Sequence, residues 1–339
     1  MTWGLTSSYY PADTSPALWE MTTGDALRRA ADRAGDMCAL VEVSPDNAPS
    51  LSGAATTDRR WTYRELLADA EACARWLLTR FAPGDHICLW APNVPEWIIV
   101  QYGAALAGLV LVTANPSLRI EELGHVVGHS NAKALIHAAE FRGTDMDAIA
   151  RAAAPALDRI GIEEVTSAIT HYRSGAPLPG VSPHSPAQMQ FTSGTTGRPK
   201  GALLAHRALV TNAAFVAARI GQSGDTVVTP MPLFHTAGSV LNALGAVTSL
   251  STLVLPVMFD PVLMLRTIER EKATVTSGVP TMLSAMIAEI DRGDYDLSSL
   301  RLLYSGGAPV APELLARVEQ RFGCRMMSVY GQTELSPIV

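Results

Sequence analysis

Charge is scarce in this sequence. Only 17% of its 339 residues are Asp, Glu, Lys or Arg, where an ordinary soluble domain carries roughly a quarter. Aromatic residues make up 6%. The 48% hydrophobic share still belongs to a packed protein and excludes disorder, which needs few apolar residues and much charge. The formal net charge is −6, so no basic excess draws the chain to nucleic acid. The four cysteines, Cys38, Cys73, Cys88 and Cys324, are far apart, with no Cys-x-x-Cys pair. Neither a disulfide framework nor a structural metal site is indicated, and reduced thiols in the cytoplasm are the expectation. Met1 to Tyr10 shows no basic stretch leading into an apolar core, so no secretory signal is read there.

Unbroken apolar runs are also lacking. Trp97 to Leu118 and Thr226 to Phe259 carry no charge apart from a neutral His235. A membrane-spanning helix needs about 20 mostly apolar residues. The first stretch is interrupted by Gln101, Gly103 and Gly108, the second by Pro230, Pro232, Asn242 and Pro256. No integral membrane segment is expected, and such runs suit parallel strands buried on both faces.

What is present is an alternation. Thr62-Tyr-Arg-Glu65 forms a capping box, with Trp61 and Leu66 at the staple positions, and opens a helix to about Phe81. A strand is expected at Ile87 to Trp90, a helix at Pro95 to Leu106, and strands at Leu109 to Val112 and Ala134 to His137. Glu121 and Glu122 suit the first turn of a helix between the last two strands. Pro177, Pro179, Pro183 and Pro186 then mark a junction. Beyond it, strands are expected at Gln188 to Phe191, Val227 to Thr229, Thr252 to Leu255, Thr274 to Thr276, Arg301 to Tyr304 and Met326 to Tyr330. Helices are expected near Val240 and after Asp260-Pro261, Pro280 and Pro312, the last closed by Gly323. This βαβ rhythm predicts an α/β protein of two mostly parallel subdomains, residues 1–180 and 181–339, with helices on both sheet faces. A length of 339 fits two such units, since single cores stop growing near about 250–300 residues.

Thr192-Ser193-Gly194-Thr195-Thr196-Gly197-Arg198-Pro199-Lys200-Gly201 follows a strand. Glycines let backbone amides approach a phosphate, hydroxyls donate, and Lys200 supplies positive charge. A P-loop needs Gly-Lys followed by Ser or Thr and then a helix. Here Gly201 follows Lys200, and Ala202-Leu203-Leu204 reads as a short strand. The loop suits phosphate, but the P-loop NTPase pattern fails.

These ten residues closely resemble the signature loop of the adenylate-forming superfamily of acyl-CoA synthetases, peptide-synthetase adenylation domains and luciferases. Other segments are similar to the family's in the same order: Leu89-Trp-Ala-Pro-Asn-Val-Pro-Glu-Trp97, Asn115-Pro116 with Glu121-Glu122-Leu123, Pro232-Leu-Phe-His235 with Gly238, Tyr304-Ser-Gly306-Gly307-Ala308, and Tyr330-Gly331-Gln332-Thr333-Glu334. The likeness runs from about Trp19 onward. It implies that a carboxylic acid attacks the α-phosphate of ATP, releasing pyrophosphate and leaving an acyl-adenylate, which a synthetase passes to the thiol of CoA.

The resemblance also implies roles. Lys200 with Thr192, Ser193, Gly194, Thr195, Thr196 and Gly197 would meet the departing phosphates. Thr333 would meet the α-phosphate, and Glu334 would bind Mg²⁺, for which a hard carboxylate oxygen is fitting. Tyr330 would lie against adenine, beside Gly331 and Gln332. Gly306, Gly307 and Ala308 would let the nucleotide and acyl group pass close to the backbone. His235, in its Pro-Leu-Phe-His setting, would stand at the carboxylate end of an acyl pocket walled by Gly238, Val279, Pro280 and Pro309. His206 is expected only to begin a helix.

Tyr-Gly-Gln-Thr-Glu and Val279-Pro280-Thr281 look more like acyl-CoA synthetases than peptide-synthetase domains. The wall residues are small and apolar, so the expected acid has an uncharged fatty, alicyclic or aromatic tail. The alternatives are adenylation without CoA transfer, or a nucleotide- or acyl-binding chain, or a structural homologue, without turnover. Lys200, Thr333 and Glu334 are all present, which argues against decay. The family pattern continues past Glu334 with a ribose-binding Asp, a hinge, a β-barrel and a C-terminal lid carrying a catalytic lysine. None of these is in the sequence, so an N-terminal portion that binds better than it catalyses is expected.

Overall fold

The computed structural model describes residues 15–44, 59–192 and 198–338. In chain order the strands are β1 (Cys38–Val43), β2 (Arg60–Thr62), β3 (His86–Trp90), β4 (Val110–Ala114), β5 (Ala134–His137), β6 (Glu140–Phe141), β7 (Thr144–Asp145), β8 (Asp158–Gly161), β9 (Pro186–Thr192), β10 (Lys200–Ala205), β11 (Thr226–Val228), β12 (Thr252–Pro256), β13 (Val275–Ser277), β14 (Leu302–Ser305) and β15 (Arg325–Ser328). The α-helices are α1 (Thr23–Ala34), α2 (Tyr63–Leu77), α3 (Pro95–Ala107), α4 (Ile120–Ser130), α5 (Met146–Ala153), α6 (Glu163–His171), α7 (His206–Arg219), α8 (Gly245–Thr248), α9 (Pro261–Glu271), α10 (Pro280–Ile290) and α11 (Pro312–Phe322). A π-helix spans Ala237–Leu244.

Among the described residues the strands build two large sheets and the small β6-β7 ribbon. One sheet runs β10-β9-β4-β3-β5-β8 and is parallel except for β10. The other runs β15-β14-β13-β11-β12-β1-β2 and is parallel except for β2. The α/β class therefore stands, and no sheet among the described residues closes into a barrel.

The boundary expected at residue 180 does not follow the sheets. β1 and β2 come from the first half of the chain, yet lie at the edge of the second sheet. β9 and β10 lie beyond the boundary, yet join the first sheet through β4. The Pro-rich stretch is thus a crossover returning the chain to the same sheet. Composition marks where a chain is irregular, not which sheet the next strand enters.

Local chemistry explains most elements. The Thr62–Glu65 capping box starts α2, and a Thr22–Asp25 box starts α1, an element the sequence reading passed over. Pro at the first turn opens α3, α9, α10 and α11, where its missing N–H costs nothing. Every residue of α3 is buried, as a helix apolar on all sides should be. That accounts for the first charge-free stretch without a bilayer. Among the described residues, no helix is long and apolar enough to cross a membrane.

The sheets are held together by specific contacts as well as by a shared core. Arg59 Nε donates to Glu42 on β1 at 2.7 Å, and its Nη1 donates to Glu96 on α3 at 2.7 Å. Both carboxylates are buried. The Tyr63 hydroxyl donates to the carbonyls of Ser251 and Ala246 at 2.6 and 3.0 Å.

Candidate active site

β4, β9, β11, β13, β14 and β15 all end toward one place. Residues at or just beyond the C-terminal ends of β9, β11, β13, β14 and β15 line a cavity of about 710 Å³. Ligands of open α/β sheets bind outside these carboxyl ends, because the connecting loops diverge there and leave a crevice.

Nine residues singled out in the sequence come together here: Thr192, His235, Val279, Gly306, Gly307, Gly331, Gln332, Thr333 and Glu334. Thr192 Oγ1 donates to Glu334 Oε1 at 3.5 Å. Lys200 starts β10 directly across from Thr192 and is exposed, which sets it at the rim of this corner. Ser193, Gly194, Thr195, Thr196 and Gly197 lie outside the described residues. Pro280, Ala308, Pro309, Tyr330 and Gly238 are not part of the lining. Pro280 begins α10, and Ala308 and Pro309 are exposed. Tyr330 is 67% exposed, its hydroxyl accepting from Gln332 Nε2 at 3.0 Å. It lies past the end of β15 rather than inside a strand.

Gly238 acts behind the wall. A Cβ there would strike the Pro232 carbonyl. The close approach lets the chain turn sharply, and the His235 carbonyl accepts from the amides of Gly238 and Ser239. The turn projects His235 onto the cavity wall, where the side chain is exposed to the cavity. Desolvation lowers its pKa, so the neutral ring dominates at pH 7. Nδ1 accepts from the Ala237 amide at 3.1 Å, which leaves the proton on Nε2.

The first sheet supports this wall. Asn93, inside the Leu89–Trp97 segment, donates from Nδ2 to the Met231 carbonyl at 3.1 Å and accepts at Oδ1 from the Leu233 amide at 2.9 Å. Thr113 Oγ1 on β4 donates to the Phe234 carbonyl at 2.7 Å. Ser239 Oγ accepts from Gln190 Nε2 at 3.1 Å, and its carbonyl accepts from Gln101 Nε2 at 3.2 Å.

Asn212 on α7 does the same for the opposite end. Its Nδ2 donates to the Ile338 carbonyl at 2.7 Å and the Leu335 carbonyl at 3.4 Å, and its Oδ1 accepts from the Ile338 amide at 3.2 Å. With the Gln332 amide donating to the Pro337 carbonyl at 2.8 Å, this closes the turn that carries Thr333 and Glu334.

The expected helix near Val240 is a π-helix, a form that concentrates at functional sites. It sets Leu241 and Asn242 into the cavity. Asn242 Oδ1 accepts from the Tyr304 hydroxyl at 2.6 Å and from Ser277 Oγ at 3.2 Å. Burial raises the Tyr304 pKa, keeping the phenol protonated. Met231, Phe234, Leu241, Val279 and Met282 give the wall its apolar surface. The Thr236 hydroxyl, fully buried in the same wall, has no partner among the described residues. Asn93, Asn212, Asn242, Tyr304 and Thr236 were not recognised as site residues in the sequence. The signal available for three of them was only that Asn242 breaks an apolar run and that Asn93 and Tyr304 sit within family-like segments.

Among the described residues, Glu334 is the only Asp, Glu, Lys or Arg lining the cavity, and no cluster of three His, Cys, Asp or Glu side chains could hold a metal. One accessible carboxylate on the cavity wall fits Mg²⁺, which keeps most of its shell as water and substrate phosphate oxygens. It does not fit a metal that needs a protein cage.

The chain is similar to several known proteins. YngI of Bacillus subtilis (strain 168) is 34% identical over 337 residues, covering 88% of this chain and 61% of YngI. The mitochondrial medium-chain acyl-CoA ligase ACSF2 of Danio rerio is 30% identical over 370 residues, covering 98% of this chain and 59% of ACSF2. The crystal structure of a long-chain-fatty-acid-CoA ligase, FadD1, from Archaeoglobus fulgidus matches with a TM-score of 0.84 at 23% identity, over 98% of this chain and 68% of that one; this likeness speaks to fold. The chain thus spans about three-fifths of the length of these curated relatives. The profile of the family described as AMP-binding enzyme matches residues 27–339, and the chain belongs to that family.

Proposed function

We propose that this chain carries the nucleotide and acyl sites of an AMP-forming acyl-CoA ligase. In the whole enzyme a carboxylate attacks the α-phosphate of ATP, pyrophosphate leaves, and the acyl-adenylate is then passed to the thiol of CoA. The observation that carries this reading is the meeting of Thr192, His235, Gly306, Thr333 and Glu334 around one cavity, from segments up to 142 positions apart. Membership of the family and the acyl-CoA ligase relatives support it.

Two anions must meet, so positive charge and donors have to offset repulsion while the reactants are held in line. Lys200 and the hydroxyl of Thr192, with Ser193 to Gly197, bind the departing β- and γ-phosphates. Thr333 donates to the α-phosphate. Mg²⁺ on Glu334 neutralises phosphate charge when bound. Tyr330, exposed and beside Gln332, stacks on adenine, while Gly306, Gly307 and Ala308 let the nucleotide pass. The Nε2–H of His235 donates to the substrate carboxyl group and orients it. The tail enters between Met231, Phe234, Leu241, Val279 and Met282. Among the described residues Glu334 stands alone as a charged lining residue, so the tail is uncharged, because a buried unpaired charge is costly. Pro280 and Pro309 shape this pocket from behind rather than touching the tail. The four free thiols suit a reducing compartment such as the cytoplasm.

The test is calorimetric binding of MgATP together with ATP–pyrophosphate exchange across carboxylic acids. Saturable MgATP binding that is strongly weakened by Lys200→Ala supports the reading. Exchange driven only by amino acids or dicarboxylates sinks the uncharged tail.

A further inference from the structure

The apolar cavity has a polar patch at the π-helix. Asn242, Tyr304 and Ser277 line it together, and all three are nearly fully buried. Their hydrogen bonds can be counted atom by atom. The Thr229 hydroxyl accepts from the Met231 amide at 3.1 Å and pairs with Ser277 Oγ at 2.9 Å. Ser277 and Tyr304 both donate to Asn242 Oδ1, which fills its two lone pairs. Asn242 Nδ2 donates one of its two protons to the Ala237 carbonyl at 2.7 Å.

Two capacities are left over. The second N–H of Asn242 has no partner among the described residues. The Tyr304 oxygen, having given its proton to Asn242, keeps at least one lone pair even if Ser277 turns toward it. A free donor and a free acceptor therefore sit side by side in a wall that also carries the apolar side chains of Met231, Phe234, Leu241, Val279 and Met282. A plain hydrocarbon tail would leave both unpaired, which is the costly outcome for buried polar groups. A hydroxyl answers both at once, because it accepts from an N–H and donates to a phenol oxygen.

We propose that the acid taken by this site carries an uncharged hydroxyl on its tail, read by Asn242 and Tyr304. This deepens the acyl-adenylate reading and rests on it. The patch is a specificity device, since a site built to bond a hydroxyl discriminates against the analogue that lacks it.

The probes are acyl-sulfamoyladenosines, stable mimics of acyl-adenylates, with tails of four to ten carbons. Each plain alkanoyl compound is paired with its counterparts hydroxylated at the last or next-to-last carbon. Binding is measured by calorimetry on the wild-type chain and on Tyr304→Phe, whose fold is checked by its melting temperature. The expected result is at least one length at which the hydroxylated compound binds about tenfold tighter than its plain partner, as two good hydrogen bonds allow. Tyr304→Phe should cut that preference to about threefold or less. Plain compounds binding as well as, or better than, hydroxylated ones at every length overturn the inference and leave the adenylate reading standing. Failure of every compound to bind overturns both. The wild-type comparison decides the question even where the variant does not fold.

Discussion

Thr192 and Glu334 are 142 positions apart, and the Thr192 hydroxyl donates to the Glu334 carboxylate at 3.5 Å. One residue ends β9 of the first sheet, and the other follows β15 of the second. Their contact is where the two sheets jointly close one corner of the cavity, with Lys200 across the ladder from Thr192.

Lys200→Ala should weaken MgATP binding by roughly 10- to 100-fold, the worth of a charge-assisted hydrogen bond to phosphate. Glu334→Gln should weaken the dependence on Mg²⁺ more than the binding of metal-free ATP. Titration calorimetry with and without Mg²⁺ reads both. Unchanged ATP affinity in Lys200→Ala would refute the phosphate role.

Asn212→Ala removes the donors and the acceptor that clasp Leu335 and Ile338. The Gln332 amide, which bonds the Pro337 carbonyl, should then exchange with deuterium faster, while amides of β3 and β4 keep their protection. ATP affinity should fall about five- to tenfold. Equal exchange at Gln332 in both proteins would show that the clasp does not hold the Thr333–Glu334 turn.

Arg59→Met leaves Glu42 and Glu96, which are 3% and 1% exposed, without the guanidinium that binds both. Breaking a buried ion pair from one side costs about 3–5 kcal/mol. Urea denaturation should show a loss of that size. A loss below about 1 kcal/mol, the range of an exposed pair, would contradict the burial.

His206 is fully buried at the start of α7, its Nδ1 accepting from the Thr23 amide at 3.3 Å. Burial pushes its pKa down to about 4. The unfolded chain takes up this proton near pH 6.5, the folded chain only near 4. Stability should therefore rise between these values, by about 3 kcal/mol from this group, and be flat above them. Denaturation midpoints from pH 4 to 7 should show the slope in the wild type. His206→Gln should flatten it.

Much was legible where chemistry is local. The Thr62–Glu65 box, the prolines opening α3, α9, α10 and α11, and Gly323 closing α11 lie within a few residues of what they determine. The ordered motifs also brought out Thr192, His235, Thr333 and Glu334, which do line one cavity. What escaped was non-local. Cys38–Val43 reads as an isolated apolar run, and only its register with β12 assigns it to the far sheet. Asn93, Asn212 and Asn242 look like ordinary loop or helix asparagines. Each becomes meaningful through partners in distant segments.

The scarcity of charge with which the sequence begins has the same two parts. The sequence alone determined that the chain is an α/β protein and showed a Gly/Ser/Thr loop suited to phosphate, because hydrophobic period, caps and glycine-rich loops act over a few residues. The tertiary structure decided how the strands are shared between two sheets, which motif residues face the cavity and which stand behind it, and that one carboxylate, Glu334, is the only fixed charge on it among the described residues. Those outcomes depend on sheet order and on contacts between residues more than a hundred positions apart, and no local pattern encodes which strand lies beside which.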